Sequence, residues 1–220
     1  VYKPVRGERP LWDFPDGTLA GREVATYLVS EAGGFGVVPP TVHRDGPFGP
    51  GMVQVWVDTA DERELVDVRP PKDVPPGWLG VLRARGVAGE PAVLIHANTP
   101  ELRVMAAFDV LVNNADRKGG HVLAGADGRV YGVDHGLCLH VEDKLRTVLW
   151  GWVGTRLPEE VLERVRRLRS ALDGGLSASL REHITRAEVR ALVARVDELL
   201  ADPCYPRPSG YGPAIPWPAF

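Results

Sequence analysis

The chain has 220 residues, 44% hydrophobic and 25% charged, with 26 basic against 29 acidic side chains and a formal net charge of -3. That length buries a full hydrophobic core, as one domain of two lobes or two very small domains, and the composition excludes a disordered chain. Charges of both signs are mixed along the sequence and no apolar run is long enough to cross a bilayer, so neither a nucleic-acid partner nor a transmembrane segment is expected.

Val1 to Lys3 reads as the end of a strand cut off by Pro4, which cannot donate to a sheet ladder. The opening residues show neither an initiator Met nor a basic-then-apolar signal, so a preceding segment is expected. Thr18 caps a helix to about Glu31, with Leu19, Tyr27 and Leu28 on its apolar side, Glu23 one turn after Leu19, and Gly33-Gly34 as its stop. Thr41 to His43 and Met52 to Val57 read as two strands around a Gly/Pro-rich turn. Residues 58 to 98 are looser, with Pro70-Pro71 and Pro75-Pro76 breaking any helix, and are expected to connect two lobes.

Thr99-Pro100-Glu101 opens a second helix, because it combines a capping hydroxyl, a proline at the first turn and an acid at the positive end of the dipole. Leu102, Met105, Ala106, Asp109 and Val110 continue it at helical spacing to Asn113-Asn114. His121 to Ala124 and Arg129 to Val133 form a hairpin about Asp127-Gly128, presenting Asp134 at its far end. Pro158 to Leu172 and the helix opened by the Thr185-Arg186-Ala187-Glu188 capping box make the second half mainly helical. After Pro203 the Pro/Gly-rich tail with Tyr205, Tyr211, Trp217 and Phe220 is expected to lie extended on the surface.

The most specific string runs from Phe108 to His121 through Asn113-Asn114-Ala115-Asp116-Arg117-Lys118-Gly119-Gly120, followed by Val133-Asp134-His135-Gly136. Phosphoryl transfer needs a carboxylate to orient the attacking hydroxyl, ligands for a metal on the phosphates, and a cation for growing negative charge. Asp116, Asp134 and Lys3 supply those three residue types.

Asp116-Arg117 resembles the Asp-Arg-His-x-x-Asn catalytic loop of the phosphatidylinositol 3-/4-kinase-like and HipA-like atypical kinases. Asp134-His135-Gly136 resembles the metal-holding Asp-Phe-Gly motif that follows it there. The resemblance implies an α+β fold: a protein-kinase-like arrangement with a small mixed N-lobe, truncated at its start, over residues 1–57, a mainly helical C-lobe over 58–202 and a tail over 203–220. It also implies ATP with Mg2+ or Mn2+. Asp116 and Arg117 would then be catalytic, Lys3 would grip the phosphates with Glu23 as its helix partner, and Gln54, Val55 and Trp56 would form the adenine-binding hinge. His121 stands five residues after Asp116, where the family has Asn, and is expected to hold the metal with Asp134. Asp109 and Asn114 either fix the catalytic loop or cap the helix end.

The expected reaction is transfer of the ATP γ-phosphate to an unidentified hydroxyl of a protein or small molecule. Two alternatives stand beside it: a non-catalytic nucleotide-binding regulatory module, motivated by His121 in a ligand position, and transfer of AMP on the same fold. A lipid acceptor is disfavoured, because Lys144 and Arg146 stand among Glu142, Asp143 and apolar residues. Cys138 and Cys204, too few for a disulfide scaffold, fit reduced thiols in a cytoplasm. His121, His135, Cys138 and His140 are too irregularly spaced for a zinc site, His135 reading better as the Phe replacement. Trp150 and Trp152 read as core packing before substrate contacts.

Overall fold

Pro4 stops the first strand, as its missing amide dictates, so β1 (Tyr2–Pro4) is only three residues long. The computed structural model describes residues 1–9, 11–60, 64–86, 88–210 and 212–220. It shows an α+β chain, with helices and three small antiparallel sheets among those residues. In the first sheet β2 (Thr41–Gly46) and β3 (Gly49–Gln54) form a hairpin, and β1 pairs with the other edge of β3, setting Lys3 opposite Met52. The expected mixed sheet is therefore corrected: β1 and β2 run the same way, but β3 lies between them and every bonded pair is antiparallel.

Helix α1 (Leu19–Gly33) links β1 to β2. The Thr18 hydroxyl accepts the Gly21 amide at 2.9 Å, and the Glu8 carboxylate accepts the amides of Leu19 and Ala20 at 2.9 and 2.8 Å. Four orphan amides open any helix, and here three of them are satisfied by side chains. Gly34 ends the helix at φ 70°, a left-handed position that costs glycine nothing. The helix serves two clusters: Ala20 and Val24 pack on Met52 under the first sheet, whereas Ala25 and Val29 enter the main core. Arg22, buried, pairs with buried Glu188 and donates to the carbonyls of Cys138 (2.8 Å) and Asp16 (2.9 Å).

The stretch expected to be a loose connection instead holds a second sheet of β4 (Val66–Arg69), β5 (Trp78–Arg85) and β6 (Pro91–Ala97), in the order β4-β6-β5. Its prolines cluster where no ladder amide is needed: Pro70 and Pro71 open a short 3-10 turn and Pro75 and Pro76 precede β5. Helix α2 (Pro100–Val112) follows, capped by Thr99 as expected and ended by Asn113 at φ 51°. Its Leu102, Met105, Phe108 and Leu111 are fully buried at the centre of the main core.

The hairpin of β7 (Val122–Ala124) and β8 (Val130–Gly132) turns through Gly128 at φ 81°. Helices α3 (Glu159–Asp173), α4 (Leu176–Leu180) and α5 (Arg186–Ala201) complete the chain, with the Thr185–Glu188 capping box formed in both directions. Val161, Val165, Leu168 and Leu172 of α3 all face the core, and Trp152 is buried beside Tyr205 and His96. Residues 203–220 run without a helix or named strand, Tyr211 lying outside the described residues. Yet they are stitched down, because Ala214 O accepts both Thr147 N (3.1 Å) and Trp150 Nε1 (2.8 Å). No helix among the described residues is long and apolar enough to cross a membrane.

Candidate functional site

A short strand, one helix and one turn meet at Lys3. Its Nζ donates to Glu23 Oε1 at 2.6 Å and to Asp134 Oδ1 at 2.7 Å. Glu23 is 2% exposed, and its other oxygen accepts the His135 backbone amide at 3.0 Å, so one carboxylate ties β1 and α1 to the turn after β8. Burial pulls the Lys3 pKa down, but the two carboxylates outweigh it and leave the value raised, which keeps the ammonium charged. Partial burial raises the Asp134 carboxyl and Lys3 more than reverses this, so Asp134 stays ionised below its ordinary range.

Asp134 has φ 61°, a left-handed conformation that costs a non-glycine residue energy and persists only when neighbours hold it. Lys3 on one oxygen and His121 near the other do so. His121 comes from the Gly119–His121 turn, with Nδ1 at 2.9 Å from Asp116 O and Nε2 at 3.4 Å from Asp134 Oδ2. A carbonyl only accepts, so Nδ1 carries the proton, and burial holds the ring pKa below its ordinary value. The neutral ring then sets an unprotonated nitrogen beside a carboxylate, a pair of donors that could hold a cation. A carbonyl behind a ligating histidine is the usual way to fix its tautomer. Of the two donors the carboxylate suits a hard ion of the Mg2+ or Mn2+ class, and the imidazole nitrogen is the poorer match to it.

Asp116 is half-buried, and burial pushes its carboxyl up against the opposing charge of Lys118, whose Nζ is 3.5 Å from Asp116 Oδ2. Its backbone is fixed by Asn114, whose Oδ1 accepts Asp116 N at 2.9 Å while its Nδ2 donates to Asp109 at 3.0 Å. Asn113, at the left-handed helix end, donates to the carbonyls of His140 (3.1 Å) and Glu142 (2.6 Å) and accepts Lys144 N (2.9 Å). The two asparagines thus do separate work: Asn113 holds residues 140–144 and Asn114 holds Asp116.

Arg117 requires a correction. Its guanidinium is 0% exposed and paired with the equally buried Asp109 at 2.8 and 3.0 Å, so it cannot meet a transferring group. It also donates to the carbonyls of His121 (3.2 Å) and Val133 (3.3 Å) and contacts His135 Nε2 at 2.7 Å. Arg117 is therefore the internal post of both loops, steadying them without touching the reaction. Buried His135, kept neutral by burial and Arg117, packs edge-on to Phe108.

Lys3, Glu23, Asp116 and Asp134 line one cavity of about 460 Å³, with Leu19 and Gly136 among its walls. The proposed hinge does not reach it. Gln54 is buried and donates to Thr41 Oγ1 at 2.9 Å, Val55 N donates to Pro40 O, and Trp56 is 72% exposed. The strand ends at Gln54, so the chain leaves the sheet before these side chains can turn toward the cavity. Among the described residues no three His, Cys, Asp or Glu side chains gather as a metal cluster, and the candidate zinc set stays apart, with Cys138 fully buried. Sequence reasoning missed Glu8 and Lys118. Lys118 was detectable as a cation two residues past Asp116, whereas Glu8 acts across a ten-residue loop with no local signature.

No family model matches the chain. It is 57% identical, over 229 aligned positions, to Protein Rv2133c of Mycobacterium tuberculosis (strain ATCC 25618 / H37Rv), an alignment covering 100% of this chain and 82% of that protein. The chain belongs to the same family as that protein.

Proposed function

We propose that this chain is an ATP-dependent phosphotransferase, an atypical kinase resembling the phosphatidylinositol 3-/4-kinase-like and HipA-like group. In this reading residues 1–57 are a small N-lobe, 58–202 a larger C-lobe and 203–220 a tail. One observation carries it: a single cavity joins a lysine clamped between Glu23 and Asp134 to a second carboxylate, Asp116, on an ordered loop. ATP with Mg2+ or Mn2+ supplies the phosphoryl group and offsets its charge. Asp134 and His121 would hold the metal, and Lys3, positioned by Glu23, would hold phosphate oxygens. Asp116 orients the acceptor hydroxyl and takes its proton, and its raised pKa brings it closer to the range useful for a general base. With Arg117 enclosed, Lys118 is the cation beside Asp116 on the acceptor side.

The acceptor is a hydroxyl of a protein or small molecule. An anionic lipid headgroup is disfavoured because the Lys144 ammonium already lies 3.6 Å from Asp13 and 3.8 Å from Glu142. ATP labelled at the γ- or the α-phosphate, incubated with the protein and with separate protein and metabolite fractions, tests the reading. Transfer of γ label that Asp116→Asn abolishes supports it. Transfer of α label assigns AMP transfer instead, and binding without either transfer assigns a regulatory nucleotide module.

A further inference from the structure

The last residues of the described chain lie against the loop that carries Asp116. Ala219 O accepts the Gly119 amide at 2.7 Å, and the Phe220 ring occupies the space that a Cβ on Gly119 would need. Gly119 is buried and has no left-handed backbone, so its need for glycine comes from this ring rather than from its own torsions. Gly119 is also the first residue of the turn that ends at His121, the residue bridging Asp116 and Asp134. Upstream, Ala214 O holds Thr147 N and Trp150 Nε1, and Thr147 lies beside Arg117 in a parallel bridge. The tail therefore touches both strands of chain that flank Asp116.

We infer that Phe220 is a positioning residue, acting through Gly119 to set where His121 and Asp116 stand. The ring is 51% exposed, one face on the loop and one toward solvent, so its removal leaves the main core intact. The inference rests on the phosphotransferase reading for its kinetic consequence only, since the coupling of the tail to the loop is measurable without any substrate. A loop freed to shift by a fraction of an ångström loses turnover before it loses nucleotide affinity.

The test is a double-mutant cycle of Phe220→Ala and Gly119→Ala, with Phe220→Leu as the conservative control. A methyl at Gly119 evicts the ring, so either single change raises amide exchange at residues 116–121 and moves their amide chemical shifts in NMR. The double variant is no worse than either single, and Phe220→Leu restores most of the difference. In turnover, Phe220→Ala lowers kcat by about ten- to a hundredfold with the KM for ATP unchanged. Additive effects in exchange, amide shifts at residues 116–121 indifferent to Phe220, or turnover that rises on losing the ring each overturn the inference. A cycle that couples as stated in a protein with no phosphotransfer leaves the inference standing and removes the kinase reading.

Discussion

Lys3 and Asp134 are 131 residues apart in the chain and meet at 2.7 Å. Lys3 lies in β1 and Asp134 in the turn after β8, and buried Glu23 fixes the meeting by holding the Lys3 ammonium and the His135 amide next to Asp134. An exposed ion pair alone contributes at most about 1 kcal/mol, so the contact marks a site rather than a source of stability.

Asp134→Asn removes the proposed metal-holding carboxylate and leaves Lys3 paired with Glu23 alone, whereas Asp116→Asn leaves the Lys3–Glu23–Asp134 cluster untouched. Calorimetry with ATP and Mg2+ or Mn2+ is expected to show metal-dependent affinity lost in the first variant and kept in the second. Asp116→Asn is expected to lower turnover by roughly 10²- to 10⁴-fold. Unchanged metal-dependent affinity in Asp134→Asn sinks the reading.

Asp109→Ala strands the wholly buried Arg117 guanidinium without its carboxylate. The expected cost is about 3–5 kcal/mol, because an unpaired buried charge is far worse than no charge. Urea melts should show most of this recovered when Asp109→Leu is combined with Arg117→Met, which leaves packing without charge. A cost below about 1 kcal/mol in Asp109→Ala would mean that the pair is hydrated.

His121 must be neutral to ligate. Burial holds its pKa below the ordinary 6.5, so in the proposed metal site affinity is expected to be full at neutral pH and to fall as acid protonates Nε2. In His121→Asn this acid limb should disappear, leaving only the carboxylates to titrate at lower pH. Titration with Mn2+ from pH 7.5 to 5 checks the slope; identical slopes in both proteins would exclude His121 as a ligand.

His96 is buried, accepts the Gly151 amide at 3.0 Å, and burial lowers its pKa to about 4. The unfolded chain takes up a proton first as pH falls below 6.5, so the stabilisation from a neutral His96 is complete above 6.5 and declines toward pH 4. The loss accumulates to about 3 kcal/mol at about 1.4 kcal/mol per pH unit. His96→Gln, which keeps an acceptor for Gly151, should flatten the stability curve over that interval; an unchanged curve refutes the assignment.

Elements specified by local chemistry were legible in the sequence. Thr18, Thr99 and Thr185 each cap the helix they announce, and Asp127-Gly128 turns the hairpin that delivers Asp134. The second sheet was hidden because Pro70, Pro71, Pro75 and Pro76, which lie at and after the short 3-10 turn, masked the strands beside them, and because β4 finds its partner only in β6, beyond β5. Arg117 was misread for a related reason. Its neighbour Asp116 faces the cavity, but its own direction is decided by Asp109 one helix end away and by His135 beyond the hairpin. Residues 54–56 were placed by order along the chain, and order does not say where a strand stops.

The Arg22–Glu188 pair precedes Glu23 by one position and anchors α1 to α5 from within. Removing either partner would leave the other charge buried and unpaired, at an expected cost of about 3–5 kcal/mol. The lysine clamp is thus welded to the C-terminal half of the molecule and is assembled whenever the chain is folded.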